Sequence, residues 1–156
     1  MLRYAAVFCV IFVSLFALGC GSKSLKTDVV TGKVTFNGEP IEGVSVRFSP
    51  VVSGVGNIAS GTSDGNGFYQ LQTLLGDPDA GTTPGEYTVS VSKCFNVPTG
   101  KFQQNPDGTT YETFDPVEML PDKYVNPMKS ELRFTVVSGQ KNVYDIPLEG
   151  TLRTKK

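Results

Sequence analysis

The chain contains no histidine and no tryptophan among its 156 residues. The first absence excludes Ser-His-Asp and Cys-His nucleophilic catalysis, histidine metal sites and imidazole acid–base chemistry. The second removes the strongest stacking surface for a sugar ring or a cation. Cysteine is nearly absent as well. Cys9 and Cys20 belong to the N-terminal segment, so Cys94 stands alone in the remainder and no intrachain disulfide can form there. Set in VSVSKCF, Cys94 reads as a small apolar residue at a strand end. No block of one charge sign occurs, with 14 basic against 15 acidic residues, which excludes the concentrated basic face that nucleic-acid binding needs. Lys155 and Lys156 read as a terminal tail.

What the chain does have begins with MLRYAAVFCVIFVSLFALGC. Arg3 is a short basic region and Tyr4–Leu18 an apolar run, after which Ala17 and Gly19 put small residues where a signal peptidase reads. A cysteine directly after that pattern, Cys20, resembles a bacterial lipobox, in which the thiol receives a diacylglycerol and becomes the new N-terminus. The expectation is a lipid-anchored envelope protein acylated at Cys20, with Gly21 at the next position favouring the outer membrane or periplasmic face. Two alternatives stay open. Ala17-x-Gly19 also satisfies ordinary secretory cleavage, and the run to Ser22 approaches the length of an uncleaved anchor, although Arg3 on one side and Lys23 and Lys26 on the other balance its flanks. The expected organisation is a signal peptide over 1–19, a lipidated tether over 20–27, one domain over 28–150 and a tail over 151–156.

From Val29 onward the periodicity is that of strands. Val30, Gly32, Val34 and Phe36 alternate with polar residues, as do Val44, Val46 and Phe48. Ile58–Thr62, Phe68–Leu71, the run with Tyr87, Val89 and Val91, the run with Leu132, Phe134 and Val136, and Val143–Leu148 complete a set separated by turn clusters such as Asn37-Gly38 and Asp64-Gly65-Asn66-Gly67. The prediction is all-β: a seven-stranded antiparallel β-sandwich. Lys93–Met128 is predicted as a long, strand-poor loop between the fifth and sixth strands. It holds one helical turn over Asp115–Leu120, capped by Asp115 and stopped by Pro121.

Four pieces in order carry a family resemblance: Gly32-Lys33-Val34; Gly38 to Val46; Ser63-Asp64 to Phe68; and Pro84-Gly85-Glu86-Tyr87-Thr88-Val89. Together they resemble the carboxypeptidase regulatory-like domain, a small transthyretin-like (prealbumin-like) β-sandwich, over about Thr27–Gly150. The segment LPDKYVNPMKSELRFTVVSGQKNVYDIPL is similar to the closing segment of bacterial lipoproteins that carry this domain. The resemblance implies architecture and leaves activity open. Hydrolase activity of transthyretin-related enzymes depends on histidines, which this chain lacks.

Candidate chemistry is sparse. Asp64 with Asn66, and Asp77 with Asp79, offer oxygen ligands, but no further carboxylate or bidentate glutamate completes a calcium loop, and they read as turns. Glu112 and Asp115 form a carboxylate pair of the kind that any acid-bearing chain offers. No catalytic residue, metal ligand or cofactor is therefore expected. Within Lys93–Met128, Phe114, Leu120 and Tyr124 are expected to tuck against the sandwich. Phe102 and Tyr111, flanked by the turn sequence NPDGTT, are the candidates for a partner or ligand surface. The functional expectation is a non-enzymatic, lipid-anchored envelope protein displaying its sandwich for structural or protein-interaction purposes. Its partners would be membrane lipid through acylated Cys20 and an envelope protein or glycan. The alternative is a surface carbohydrate-binding module that stacks sugars on Phe102 and Tyr111.

Overall fold

Alternating valines and an aromatic make β1 (Val30–Phe36) a strand with one face sealed, since Val30, Val34 and Phe36 are buried while Lys33 is exposed. The structure is a computed structural model that describes residues 26–73 and 81–153. The apolar N-terminal segment, Cys20, the tether up to residue 25, Asp77 and Asp79, and the tail from residue 154 lie outside the described residues.

Asn37 and Gly38, both at positive φ (50° and 89°), reverse the chain into β2 (Glu39–Pro40), which pairs back on β1. Then β3 (Ser45–Pro50) and β4 (Ala59–Thr62) form an antiparallel pair. At the next turn Asp64 Oδ1 accepts the N–H groups of Asn66 and Phe68 at 2.8 and 2.9 Å, the local bonding that favours aspartate there. The chain continues through β5 (Phe68–Gln70), which pairs with β1, and β6 (Gln72–Thr73), which pairs with β4. Only Leu71 separates the two, so this one strand crosses from the first sheet to the second with its leucine in the core.

The sixth and seventh crossings follow a long excursion. β7 (Gly85–Ser92) lies between β3 and the later β10 (Arg133–Val136), and the last strand is split into β11 (Asn142–Val143) and β12 (Ile146–Leu148). One sheet thus centres on β1, flanked by β11 and β12 on one side and by β5 and β2 on the other; the second runs β10-β7-β3-β4-β6. The segments expected as strands all take extended structure and lie in a two-sheet, all-β sandwich, to which β2 and two further strands are added. One departure concerns direction: β1 pairs with β11 and β12 in parallel. Seven strands that cross alternately up and down leave the first and the last pointing the same way, so neighbours of that kind can only be parallel.

Between the sheets, Phe48 is the hub. Its ring meets Tyr87 at 5.7 Å, Phe134 at 6.0 Å and Tyr144 at 6.2 Å between centroids, the last two edge-on. Val46, Val89, Val91, Tyr69, Leu71, Ile146 and Leu148 fill the space around it.

The predicted loop over Lys93–Met128 is corrected. Its first part is an antiparallel hairpin of β8 (Cys94–Gln104) and β9 (Thr110–Glu118). The predicted helical turn at Asp115–Leu120 falls largely within β9, and the only helix among the described residues is a single turn, α1 (Asp122–Val125), that starts after Pro121. Cross-strand pairing of Asp115, Pro116, Val117 and Glu118 with β8 outweighs the local capping signal. Leu120 is fully buried and Tyr124 packs on the core, as expected, whereas Phe114 remains exposed on the hairpin.

Candidate interaction site

The hairpin is an arm. Most of its length carries exposed or half-exposed side chains, and none of its residues belongs to the buried core. A two-stranded ribbon is marginally stable alone in water, so its root and its internal bonds matter. At the root the Glu118 carboxylate gathers four donors: the Ser92 hydroxyl at 2.5 Å, the N–H groups of Lys93 and Leu120 at 2.9 Å each, and the Cys94 thiol at 3.5 Å. Glu118 also pairs with Cys94 across the ribbon, and Met119 N–H reaches Lys93 O at 2.8 Å. Cys94 lies at a strand end, as expected, and its side chain is exposed because strand alternation turns it outward at the arm's base.

Midway, Thr99, Gly100 and Lys101 bulge opposite Thr113, and the Thr99 hydroxyl bonds to Thr113 O at 3.0 Å. The tip is closed by Asn105-Pro106-Asp107-Gly108, where Asp107 Oδ1 accepts Thr109 N–H and hydroxyl at 2.9 and 2.6 Å. These two bonds hold the fully exposed Asp107 carboxyl below its usual titration range.

Register decides what the arm presents. Phe102 pairs with Glu112 and Tyr111 with Gln103, so the two candidate aromatics are out of phase and lie on opposite faces of the ribbon. Tyr111 leans along its own face and donates its hydroxyl to Gln103 Oε1 at 2.7 Å. Phe102 instead shares its face with Phe114, Pro98 and Pro116, because Phe114 stands two residues from Glu112 and pairs with Pro98. Phe102 and Phe114 are 67% and 52% exposed, so this face is an apolar row open to solvent. Prolines also shape the edges. Each strand of the ribbon has a free edge, where a missing N–H is tolerated and strand addition is discouraged. The chemistry on offer is therefore a face of rings and prolines, with Glu112 at its outer end.

Sequence reasoning found Phe102 and missed Phe114 and Glu118. The signal that marks the arm is Asn105-Pro106-Asp107-Gly108 itself, a hairpin turn flanked on both sides by strand-forming residues.

Burial alone would raise the Glu118 carboxyl, but the bonds from Ser92, Lys93 and Leu120 prevail and hold it below the usual carboxylate range. A carboxyl depressed on folding stabilises the folded form above its unfolded pKa, and that contribution is lost as pH falls through the lower folded value. Protection of the Lys93 and Leu120 amides against hydrogen exchange is expected to persist at pH 5 and weaken below about pH 4. Glu118→Gln should weaken the same amides at every pH and cost about 1–2 kcal/mol. Unaltered exchange in Glu118→Gln would show that the carboxylate does not anchor the arm.

Elsewhere the described residues hold no group of three histidine, cysteine, aspartate or glutamate side chains placed to bind one metal ion. A cleft of about 650 Å³ lies along the β3–β4 loop, lined by Pro50, Val51, Ser53, Gly56, Asn57 and Ile58. It brings together no titratable side chain.

No protein-family model matches the chain, and no curated protein matches it significantly. Among solved structures, the major pilin subunit BcpA of Bacillus cereus is similar over 81% of this chain and 30% of its own, at 14% identity and a TM-score of 0.35. A 9R-lipoxygenase from Cyanothece PCC8801 is similar over 91% of this chain and 20% of its own, at 10% identity and a TM-score of 0.33. This chain thus spans less than a third of either neighbour, and likenesses this slight carry no argument about function.

Proposed function

We propose that this chain is a non-enzymatic cell-envelope protein, held to the membrane by a lipid on Cys20, whose transthyretin-like sandwich presents the β8–β9 arm to a protein partner. The observation that carries this reading is the exposed row of Pro98, Phe102, Phe114 and Pro116 on an arm clamped at its root by Glu118. A ribbon that fully buries neither face gains little by folding alone, and aromatic side chains are the residues that contribute most at interfaces. The N-terminal pattern ending at Cys20 supports the envelope address. The carbohydrate-binding alternative has weaker support, since Phe102 and Tyr111 stand on opposite faces and cannot stack on one ring together.

The test is photo-cross-linking in intact cells from the full chain, with the reactive residue placed at Phe102, Phe114 or Tyr111. The first two positions are expected to yield the same discrete adduct and Tyr111 markedly less. Replacing residues 96–116 by Asn-Gly should abolish the adduct while leaving the sandwich folded. Adducts confined to abundant bystanders, equal from both faces, would sink the proposal.

A further inference from the structure

The end of the sandwich opposite the arm has its own character. Asp28 forms a reciprocal backbone pair with Thr82, with N–H to O distances of 2.8 and 3.0 Å. The Thr82 hydroxyl reaches Asn57 O at 3.2 Å, Asn57 N–H reaches Thr83 Oγ1 at 3.1 Å, and Gly139 N–H reaches Asp28 Oδ1 at 2.7 Å. These bonds gather four segments at one end: the chain entering β1, the β3–β4 loop, the stretch that leads into β7 and the turn between β10 and β11. β7 starts at this end, at Gly85 beside Val136, and finishes at Ser92, from which the arm departs. The arm and this end are therefore opposite poles of the sandwich.

At this pole exposed apolar side chains accumulate. Val51, Val52, Val55 and Ile58 on the β3–β4 loop, Val29 at the entry and Val137 after β10 are all exposed, although nothing in the fold requires them to be apolar. From Phe48 to Ser63 no residue carries a charge. Among the described residues the charges in and around this pole are Lys26 and Lys141 against Asp28 and Glu86, so its fringe is balanced. This is also where the N-terminal segment arrives. Eight residues separate Cys20 from Val29, a reach of at most about 30 Å even when fully extended.

We infer that this pole is a lipid-facing surface: the β3–β4 loop, led by Val52 and Val55, seats in the interface of the membrane that holds the chain. The inference rests on the proposed anchoring at Cys20, which fixes the membrane near this pole and fixes the occupant as lipid. An uncharged loop with three protruding valines suits the boundary between headgroups and acyl chains. The sandwich then stands with the arm pointing away from the bilayer, which gives the arm access to partners.

The absence of tryptophan makes the test direct. Full-length Val52→Trp and Phe102→Trp proteins are reconstituted with phosphatidylethanolamine–phosphatidylglycerol vesicles containing brominated acyl chains, and the intact mass of each preparation reports acylation. Trp at position 52 is expected to emit at shorter wavelength and to be quenched about threefold more than Trp at position 102, given insertion of about 5–10 Å. Equal quenching in an acylated preparation overturns the inference and leaves the anchor standing. A blue-shifted but unquenched position 52 also overturns it, because a protein surface then covers the loop. A preparation without acylation refutes the anchor; quenching of position 52 on added vesicles would still uphold the lipid-facing loop, and its absence would refute that too.

Discussion

Gly32→Ala is expected to destabilise the sandwich by about 4 kcal/mol, a large part of the roughly 5–15 kcal/mol that domains possess. Gly32 sits in the middle of β1 on its buried side, where the two halves of the last strand meet. A Cβ there would lie 1.9 Å from Tyr144 O and 3.0 Å from the Tyr69 ring. That carbonyl is not free to move, because it accepts the Tyr69 hydroxyl at 2.7 Å, while Tyr144 N–H is tied to Thr31 O at 2.8 Å. The Tyr69 ring is fully buried, and burial, reinforced by Tyr144 and Asp145, pushes its phenol well above the usual range, which keeps the hydroxyl protonated as the donor. An added methyl must therefore displace backbone and orphan a buried hydroxyl in one step. Urea denaturation monitored by circular dichroism measures the loss, and a midpoint within error of the parent would refute the account. Tyr69→Phe should cost about 1–2 kcal/mol, and combined with Gly32→Ala it should cost less than the sum, since both act on one carbonyl.

The same glycine shows how much of this fold can be read from residues. Alternation put Gly32 on the inward face of β1 beside Val30 and Val34, and the seven strands followed from the same period-two pattern in chains of Val, Phe and Tyr with one buried face. Why a residue without a side chain should stand at a core position was not legible, because the reason lies 112 residues away in the carbonyl of Tyr144. The split of the last strand is hidden for the same cause: only the partner strand reveals where the ladder breaks. The arm was missed on different grounds. Period-two signals are clear when one face is fully buried, whereas in β8–β9 Phe95, Val97 and Val117 are only half-buried, so Pro98 and Pro116 read as loop although the register is regular on both sides of the bulge. Register, not composition, then separated Phe102 from Tyr111 and joined Phe102 to Phe114. Glu118 was invisible because its role depends on donors from Ser92, Lys93 and Leu120 that only the folded turn assembles. Cys20 is legible in sequence alone and lies outside the described residues.

Cys20→Ala is expected to move the protein from the membrane fraction to the soluble fraction, with the ratio between them changing by about a hundredfold or more. A single acyl chain gives only marginal, reversible binding at about 0.8 kcal/mol per buried methylene, so the two chains of a diacylglycerol on Cys20 would supply nearly all the hold. The apolar pole around Val52 adds contact once the chain is there, but a few exposed valines do not replace an anchor. Ala17 and Gly19 are untouched by the substitution and still offer an ordinary cleavage site, so the variant is expected as a processed, released domain rather than as a retained precursor. Fractionation after a carbonate wash measures the shift, and the intact mass of the parent should exceed that of residues 20–156 by a diacylglycerol and its further acyl group. If Cys20→Ala stays with the membrane and keeps residues 1–19, the apolar run from Tyr4 is itself the anchor and the lipid reading fails. If the parent is already soluble and unacylated, the chain is secreted, and the arm must then meet its partner away from the membrane.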